Sequence, residues 1–265
     1  MSTQNSKNRL FIHILCILGF IGMVTVNALA NALPINGYTT GELSAFYPNL
    51  FVPSGITFSI WGLIYLSLIA YLIYQSTVLR KADGVFIEKM GFLFFLTCLA
   101  NSAWIFAWHY QITLLSLAIM LILLLLLIKI TIAINVGIPQ GNPSKKWFLH
   151  IPFSMYLGWI SIATIANVTA VLVDLEWNGA GISEALWAKI LIVIGAALAL
   201  IMLQLRKDII YSLVVIWAFA GIIIKRTAGG EMLLENISLI AVISIAVILV
   251  DILRKWNRIG KIYFS

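Results

Sequence analysis

Eight apolar stretches, at 10–33, 57–78, 87–108, 112–136, 147–173, 184–204, 209–224 and 232–255, dominate the chain. All but the short seventh reach the roughly 20 residues that a helix needs to cross about 30 Å of hydrocarbon. Inside lipid every backbone amide and carbonyl must be paired within the protein, which restricts such stretches to helices or closed barrels, and their length selects helices. The expected class is an all-α integral membrane protein with eight transmembrane helices. Composition excludes a soluble globule, since 62% of the residues are apolar and only 10% are charged, against roughly 25% charged in soluble domains. Breaks fall at Asp83-Gly84, at Pro139-Gln140-Gly141-Asn142-Pro143, at Asn178-Gly179-Ala180-Gly181 and at Gly229-Gly230, where glycine and proline end helices.

The basic residues fix an expected orientation. Lys7, Arg9, Arg80, Lys81, Lys89, Lys145, Lys146, Arg206, Lys207, Arg254, Lys255, Arg258 and Lys261 fall on one side, and Lys189, Lys225 and Arg226 on the other. Because cytoplasmic loops carry the excess of Lys and Arg, both termini are expected in the cytoplasm. Lys129 sits near the inner end of the fourth span, within snorkelling reach of the headgroups. Glu42, Asp174, Glu176, Glu184, Glu231 and Glu235 lie on the opposite face, in agreement. The net charge of +7 reads as topology and contact with anionic lipid rather than nucleic-acid binding, because no basic run is interleaved with aromatics. Lys7 and Arg9 ahead of an apolar run ending in Ala28-Leu29-Ala30 resemble a signal peptide. That run is longer than a signal core of about 7–15 residues, so an uncleaved first helix is expected.

Few residues advertise chemistry. The nucleophile elbow, Walker loop, dinucleotide fingerprint, HExxH and paired-aspartate patterns are all missing, so no catalytic residue is assigned. Cys16 and Cys98 each sit in an apolar stretch and read as small core residues. His13, His109 and His150 are scattered and read as structural or interfacial, His109 alone being placed to reach a haem iron as an axial ligand. Trp108, Trp147, Trp177, Trp187 and Trp256 fit interfacial anchors. Trp61, Trp104, Trp159 and Trp217 lie within spans, where an indole needs a hydrogen-bond partner or a flat ligand. Asn27, Asn31, Asn101, Asn135 and Asn167 are intramembrane amides, open to interhelical hydrogen bonding or to a ligand. Counting about 1.5 Å per residue from the outer ends brings Asn27, Asn101, Asn167, Trp61, Tyr65 and Trp104 to one depth, which points to a pocket. The loop 34–56, rich in aromatics and proline, is read as a partly ordered lid or as a loop resting on headgroups.

Four segments resemble, in order, the tryptophan-rich sensory protein and translocator-protein family, also called peripheral benzodiazepine receptors. Pro48-Asn49-Leu50-Phe51-Val52-Pro53 followed by Trp61-Gly62-Leu63-Ile64-Tyr65 is similar to the family's proline-rich first loop and second-helix start. Asn101-Ser102-Ala103-Trp104 resembles its third-helix motif. Tyr156, Trp159, Ala163, Thr164 and Asn167 reproduce the Y-x-x-W-x-x-x-A-T-x-x-N pattern of its fifth helix. The resemblance covers about residues 10–177 and implies a five-helix bundle whose cavity under the first loop binds porphyrin, haem-related tetrapyrroles, sterols or benzodiazepine-type ligands. It implies that Pro48, Leu50, Pro53, Trp61, Tyr65, Trp104, Tyr156, Trp159 and Ala163 form the ligand site, with Asn101, Thr164 and Asn167 supporting or facing it. Leu50 replaces the family's loop tryptophan, Val52 the first of its paired prolines, and Val171 a tryptophan beyond the helix-five asparagine. Sterol binding is not supported, because the end of the fifth span lacks the cholesterol-type pattern and carries Asp174 and Glu176.

The expected organisation is a ligand-binding core at 1–177 and a three-helix extension at 178–265. Gly195, Ala196, Ala197 and Ala199 give the extension a small-residue face that serves either to cover the core or to form a homodimer. The function expected is a membrane receptor or sensor of a planar hydrophobic ligand in a bacterial-type plasma membrane. A transporter of such ligands is the alternative and a tetrapyrrole-modifying enzyme the third reading. No resident cofactor or metal is required, porphyrin or haem being bound as ligand.

Overall fold

The computed structural model describes residues 3–79, 84–136, 145–233 and 236–264. Arg80, Lys81, Asp83, the 139–143 break and Glu235 lie outside them, as do the side chains of Lys89, Arg258 and Lys261. Eight helices are long and apolar enough to cross a membrane. They are α1 (Thr3–Ala32), α2 (Ile60–Val78), α3 (Gly84–His109), α4 (Thr113–Ala133), α5 (Ile151–Asp174), α6 (Glu184–Arg206), α7 (Ile209–Ala228) and α8 (Asn236–Phe264). With no strand among the described residues, the chain is an all-helical, multi-pass membrane protein.

The span limits expected from hydropathy move by a few residues, each for a local reason. Helix α7 runs on to Ala228 and carries Lys225 and Arg226 in its last turn, where cations meet the negative end of the helix dipole. Helix α5 is entered through a single π-turn at Lys146–His150 and has Pro152 in its first turn, where a missing amide hydrogen costs nothing. Two expectations are corrected. Asn31 does not face into the bundle but is exposed, its amide donating back to the Asn27 carbonyl at 2.9 Å. Asn135 is not an inward-facing intramembrane amide but an exposed residue just past α4, with the left-handed φ of 52° that asparagine tolerates at a helix C-terminus.

The first five helices close a ring in which α1 packs on α3, α3 on α4, α4 on α5, α5 on α2 and α2 on α1. Helices α6, α7 and α8 pack on one another, and α7 docks the trio along α5. Lipid is as apolar as leucine, so close approach and interhelical hydrogen bonds supply most of the specificity. Gly158 of α5 lets the α7 backbone approach so closely that a Cβ there would sit 3.2 Å from the Tyr211 carbonyl oxygen. The Asn27 amide donates to Asn101 Oδ1 at 2.7 Å across α1 and α3. Ser212 donates to the Ala199 carbonyl at 3.1 Å across α7 and α6. In the middle of the ring Tyr71, Phe94 and Phe153 meet edge-on, with centroids 5.0, 5.0 and 6.0 Å apart, and seal the bundle.

At the end that holds the chain termini, Asp208 caps α7 by accepting the Tyr211 amide at 3.1 Å, and it is fully buried. Burial outweighs the hydrogen bonds that the carboxyl accepts from Ser154 and from the Tyr211 and Ile210 amides, and pushes it up from 3.8 to about 6. The folded chain holds this proton more tightly than the unfolded one, so the contribution is complete below about pH 4 and lost as pH rises through about 6, when ionisation costs about 3 kcal/mol. Asp208→Asn keeps a capping oxygen without the charge. Thermal unfolding should show a higher midpoint for this variant at pH 7 and a flatter stability profile between pH 4 and 6. An unchanged profile would place the acid-sensitive group elsewhere.

Candidate functional site

The segment 34–59 folds over the end of the ring opposite the termini as a lid with three short helical turns, at Ile35–Gly37, Thr40–Ser44 and Gly55–Ser59. Its own side chains shape it. Thr39 donates to Glu42 Oε2 from its amide at 2.8 Å and from its hydroxyl at 2.9 Å, and Glu42 N–H returns a bond to the Thr39 hydroxyl at 3.2 Å. This reciprocal cap holds the Glu42 carboxyl below the usual carboxylate range. Asn49 Oδ1 accepts the amides of Phe51 and Val52, both at 3.1 Å, which fixes the turn that carries the expected binding prolines.

Two anchors hold the lid down. On α3, His109 is fully buried, with Nδ1 2.9 Å from the Ile35 carbonyl and Nε2 3.0 Å from the Thr40 hydroxyl. A carbonyl only accepts, so Nδ1 carries the proton, and both ring nitrogens are committed to the lid. Asn36 donates to the His109 carbonyl at 3.0 Å, and Trp108 Nε1 to the Thr40 carbonyl at 3.3 Å. The second anchor comes from α7. Ser54 N–H donates to the Gly221 carbonyl at 3.0 Å and Trp217 Nε1 to the Thr57 carbonyl at 2.9 Å. Gly221 is required by this contact, since a Cβ there would overlap Thr57 Oγ1.

Beneath the lid lies a cavity of about 60 Å³ lined by Thr40, Ser44, Val52, Pro53, Phe58, Trp61, Trp104, Trp108, Met120, Trp159, Ile162, Ala163, Ala166, Asn167 and Ala170. It has two aromatic walls. On one side Trp61 and Trp159 meet edge-on at 6.4 Å, and Phe58 meets Trp159 at 5.7 Å. On the other, Trp104 and Trp108 stack at 5.8 Å and 14°, with Tyr47 of the lid 5.4 Å from Trp108. Between them α5 turns one face of small residues, Ala163, Ala166 and Ala170, towards the space. That face follows from the helical spacing of three and four.

The structure brings six of the sequence-derived site residues into this lining, namely Pro53, Trp61, Trp104, Trp159, Ala163 and Asn167. Pro48 and Leu50 line a separate cavity against α6. Tyr65, Asn101, Tyr156 and Thr164 reach neither lining and stand behind or below it. Tyr65 stacks on Trp61 at 5.5 Å, Tyr156 meets Trp61 edge-on at 5.7 Å, and the Thr164 hydroxyl bonds back to the Ile160 carbonyl at 2.7 Å. Asn167 is held by Ser116, to which its amide donates at 3.1 Å. Trp108 is corrected from interfacial anchor to cavity wall, being buried and four residues beyond Trp104 on the same face. That spacing was the readable signal, as was the run of alanines after Ala163. His109 likewise belongs to the lid anchor.

Three buried donors or hydroxyls near the cavity have no partner among the described residues: Trp104 Nε1, Asn101 Nδ2 and the Tyr65 hydroxyl. An orphaned buried polar atom costs roughly 1–3 kcal/mol. Among the described residues no group of His, Cys, Asp and Glu is placed to hold a metal ion.

A family model described as TSPO-like protein matches residues 13–254, and so runs through α6 and α7 and into α8 as well as the five-helix ring. No curated protein and no solved structure matches the chain.

Removing the His109 ring leaves the Ile35 carbonyl and the Thr40 hydroxyl unpaired. His109→Ala should speed amide exchange across residues 39–46 by about tenfold, as expected when about 1.4 kcal/mol of local stability is lost. Exchange at wild-type rates would mean that the lid is held without this ring.

Proposed function

The chain belongs to the TSPO-like protein family, and on that premise we propose that it is a membrane receptor or sensor for a planar, hydrophobic ligand such as a porphyrin or another tetrapyrrole. The ligand lies between the Trp61–Trp159 and Trp104–Trp108 walls, under a lid on the outer face of a bacterial-type plasma membrane, with both termini cytoplasmic. The observation that carries this reading is the unpartnered Trp104 indole N–H in a cavity walled by four tryptophans. Flat aromatic walls select a flat apolar guest, and the free N–H offers it one polar contact.

The cavity's size adds a requirement. About 60 Å³ is far below the roughly 300–1,000 Å³ of small-molecule sites, so binding has to move the lid or spread the walls. The ligand then replaces the hydrogen bonds of a closed lid with its own contacts, and lid position reports occupancy to a partner. This is what a sensor needs. The aromatic seal of Tyr71, Phe94 and Phe153 below the cavity supports binding over transport, since it blocks passage toward the terminal end. The lining offers no activated nucleophile or acid–base pair, which ranks ligand modification third.

Protoporphyrin should quench the intrinsic tryptophan fluorescence saturably. Ala163→Phe, which fills the α5 face, should abolish this, and Trp159→Leu should weaken it. Trp104→Phe keeps a ring but removes the N–H, and should weaken binding about two- to tenfold, the worth of one hydrogen bond. Equal quenching of wild type and the folded Ala163→Phe protein would overturn the assignment of the site.

A further inference from the structure

A second cavity, of about 400 Å³, lies between the lid turn at Pro48 and Leu50, the lid-end face of α5 and the first turns of α6. It is already in the range of small-molecule sites, about 300–1,000 Å³, without any rearrangement. Leu50, Leu172 and Leu191 make its depth apolar, while Trp177, Trp187 and Glu184 stand together at the α5–α6 turn. Glu184 is the one charged side chain among the described lining residues, and it has no ion-pair partner among them.

The two tryptophans pack on each other, with ring centroids 5.2 Å apart and a tilt of 57°. The Trp187 N–H is used up on the Gly179 carbonyl at 2.8 Å, which leaves its face rather than its edge for recognition. Glu184 precedes Trp187 by three residues and so shares its side of α6. Aromatic faces beside a carboxylate attract an ammonium group, by cation–π and by Coulomb attraction, and the leucine-lined depth takes an alkyl chain. No basic residue lines the cavity.

We propose that this second cavity is a binding site for a single-chain cationic amphiphile, its ammonium head among Trp177, Trp187 and Glu184 and its chain under Leu50 towards Leu172 and Leu191. The site is built by α6 and by the lid together. Its lid wall, Leu50 and Phe51, runs directly into Val52 and Pro53 of the first cavity's wall, so one short turn serves both.

The test is equilibrium binding of tritiated dodecyltrimethylammonium to the full chain in nanodiscs of zwitterionic lipid, with empty nanodiscs subtracted. A dodecyl chain with a neutral polyol head is the control. Wild type should bind the cation saturably. Glu184→Gln, at an exposed position, should weaken it about three- to fivefold, and Glu184→Gln with Trp187→Leu about tenfold, both leaving the neutral probe within twofold. Leu191→Trp, filling the depth, should remove both probes. No saturable binding above empty nanodiscs would overturn the site. Equal losses for both heads in the folded Glu184→Gln protein would overturn cation recognition.

Discussion

Hydrocarbon offers no hydrogen-bond partner, and that constraint places several of the buried polar side chains that join one helix to another or to the lid. Asn27 finds Asn101 across α1 and α3, Asn167 finds Ser116 across α5 and α4, and His109 spends both ring nitrogens on the lid. Each bond fixes a helix pair or a loop at a depth where water cannot substitute. The Trp104 indole has no partner among the described residues, whereas those of Trp108, Trp187 and Trp217 donate to backbone carbonyls.

The closed lid and the small cavity are two sides of one arrangement. Val52, Pro53 and Phe58 of the lid line the cavity and Tyr47 packs on Trp108, so contacts within the protein leave little free space beneath the lid. The lid is held from two directions, by α3 at one end and by α7 at the other. The last three helices therefore do more than lengthen the chain. Through Gly221 and Trp217 they hold the base of the lid, and through α6 they wall a second cavity.

Much of the fold was legible because lipid makes hydropathy an unusually direct signal: eight stretches became eight helices, and the breaks at Asn178–Gly181 and Gly229-Gly230 end spans as glycine allows. Part of the candidate site was readable too: common depth pointed to Trp61, Trp104 and Asn167, and the family resemblance added Pro53, Trp159 and Ala163. What was hidden depends on contacts between distant segments. Trp108 looked like an anchor because its depth is interfacial, and only the lid folding over it turns it into a wall. Trp217 gave no sign of its partner, Thr57, which lies 160 residues away in sequence. Pro48 and Leu50 were placed over the first cavity by the family resemblance, whereas they line the separate cavity against α6. Asn135 misled because composition cannot distinguish a helix interior from the residue just beyond its end.

The proposed mode of ligand entry is displacement of the lid. It is tested most directly by the distance between spin labels at Phe46→Cys on the lid and Leu115→Cys on α4, both exposed positions, with the buried Cys16 and Cys98 replaced by alanine. Double electron–electron resonance should show the distribution moving by more than about 2 Å on saturation with protoporphyrin, the scale of a loop rearrangement. A distribution unchanged under saturating, tightly bound protoporphyrin would contradict lid displacement and leave spreading of the walls as the way a cavity of about 60 Å³ is enlarged.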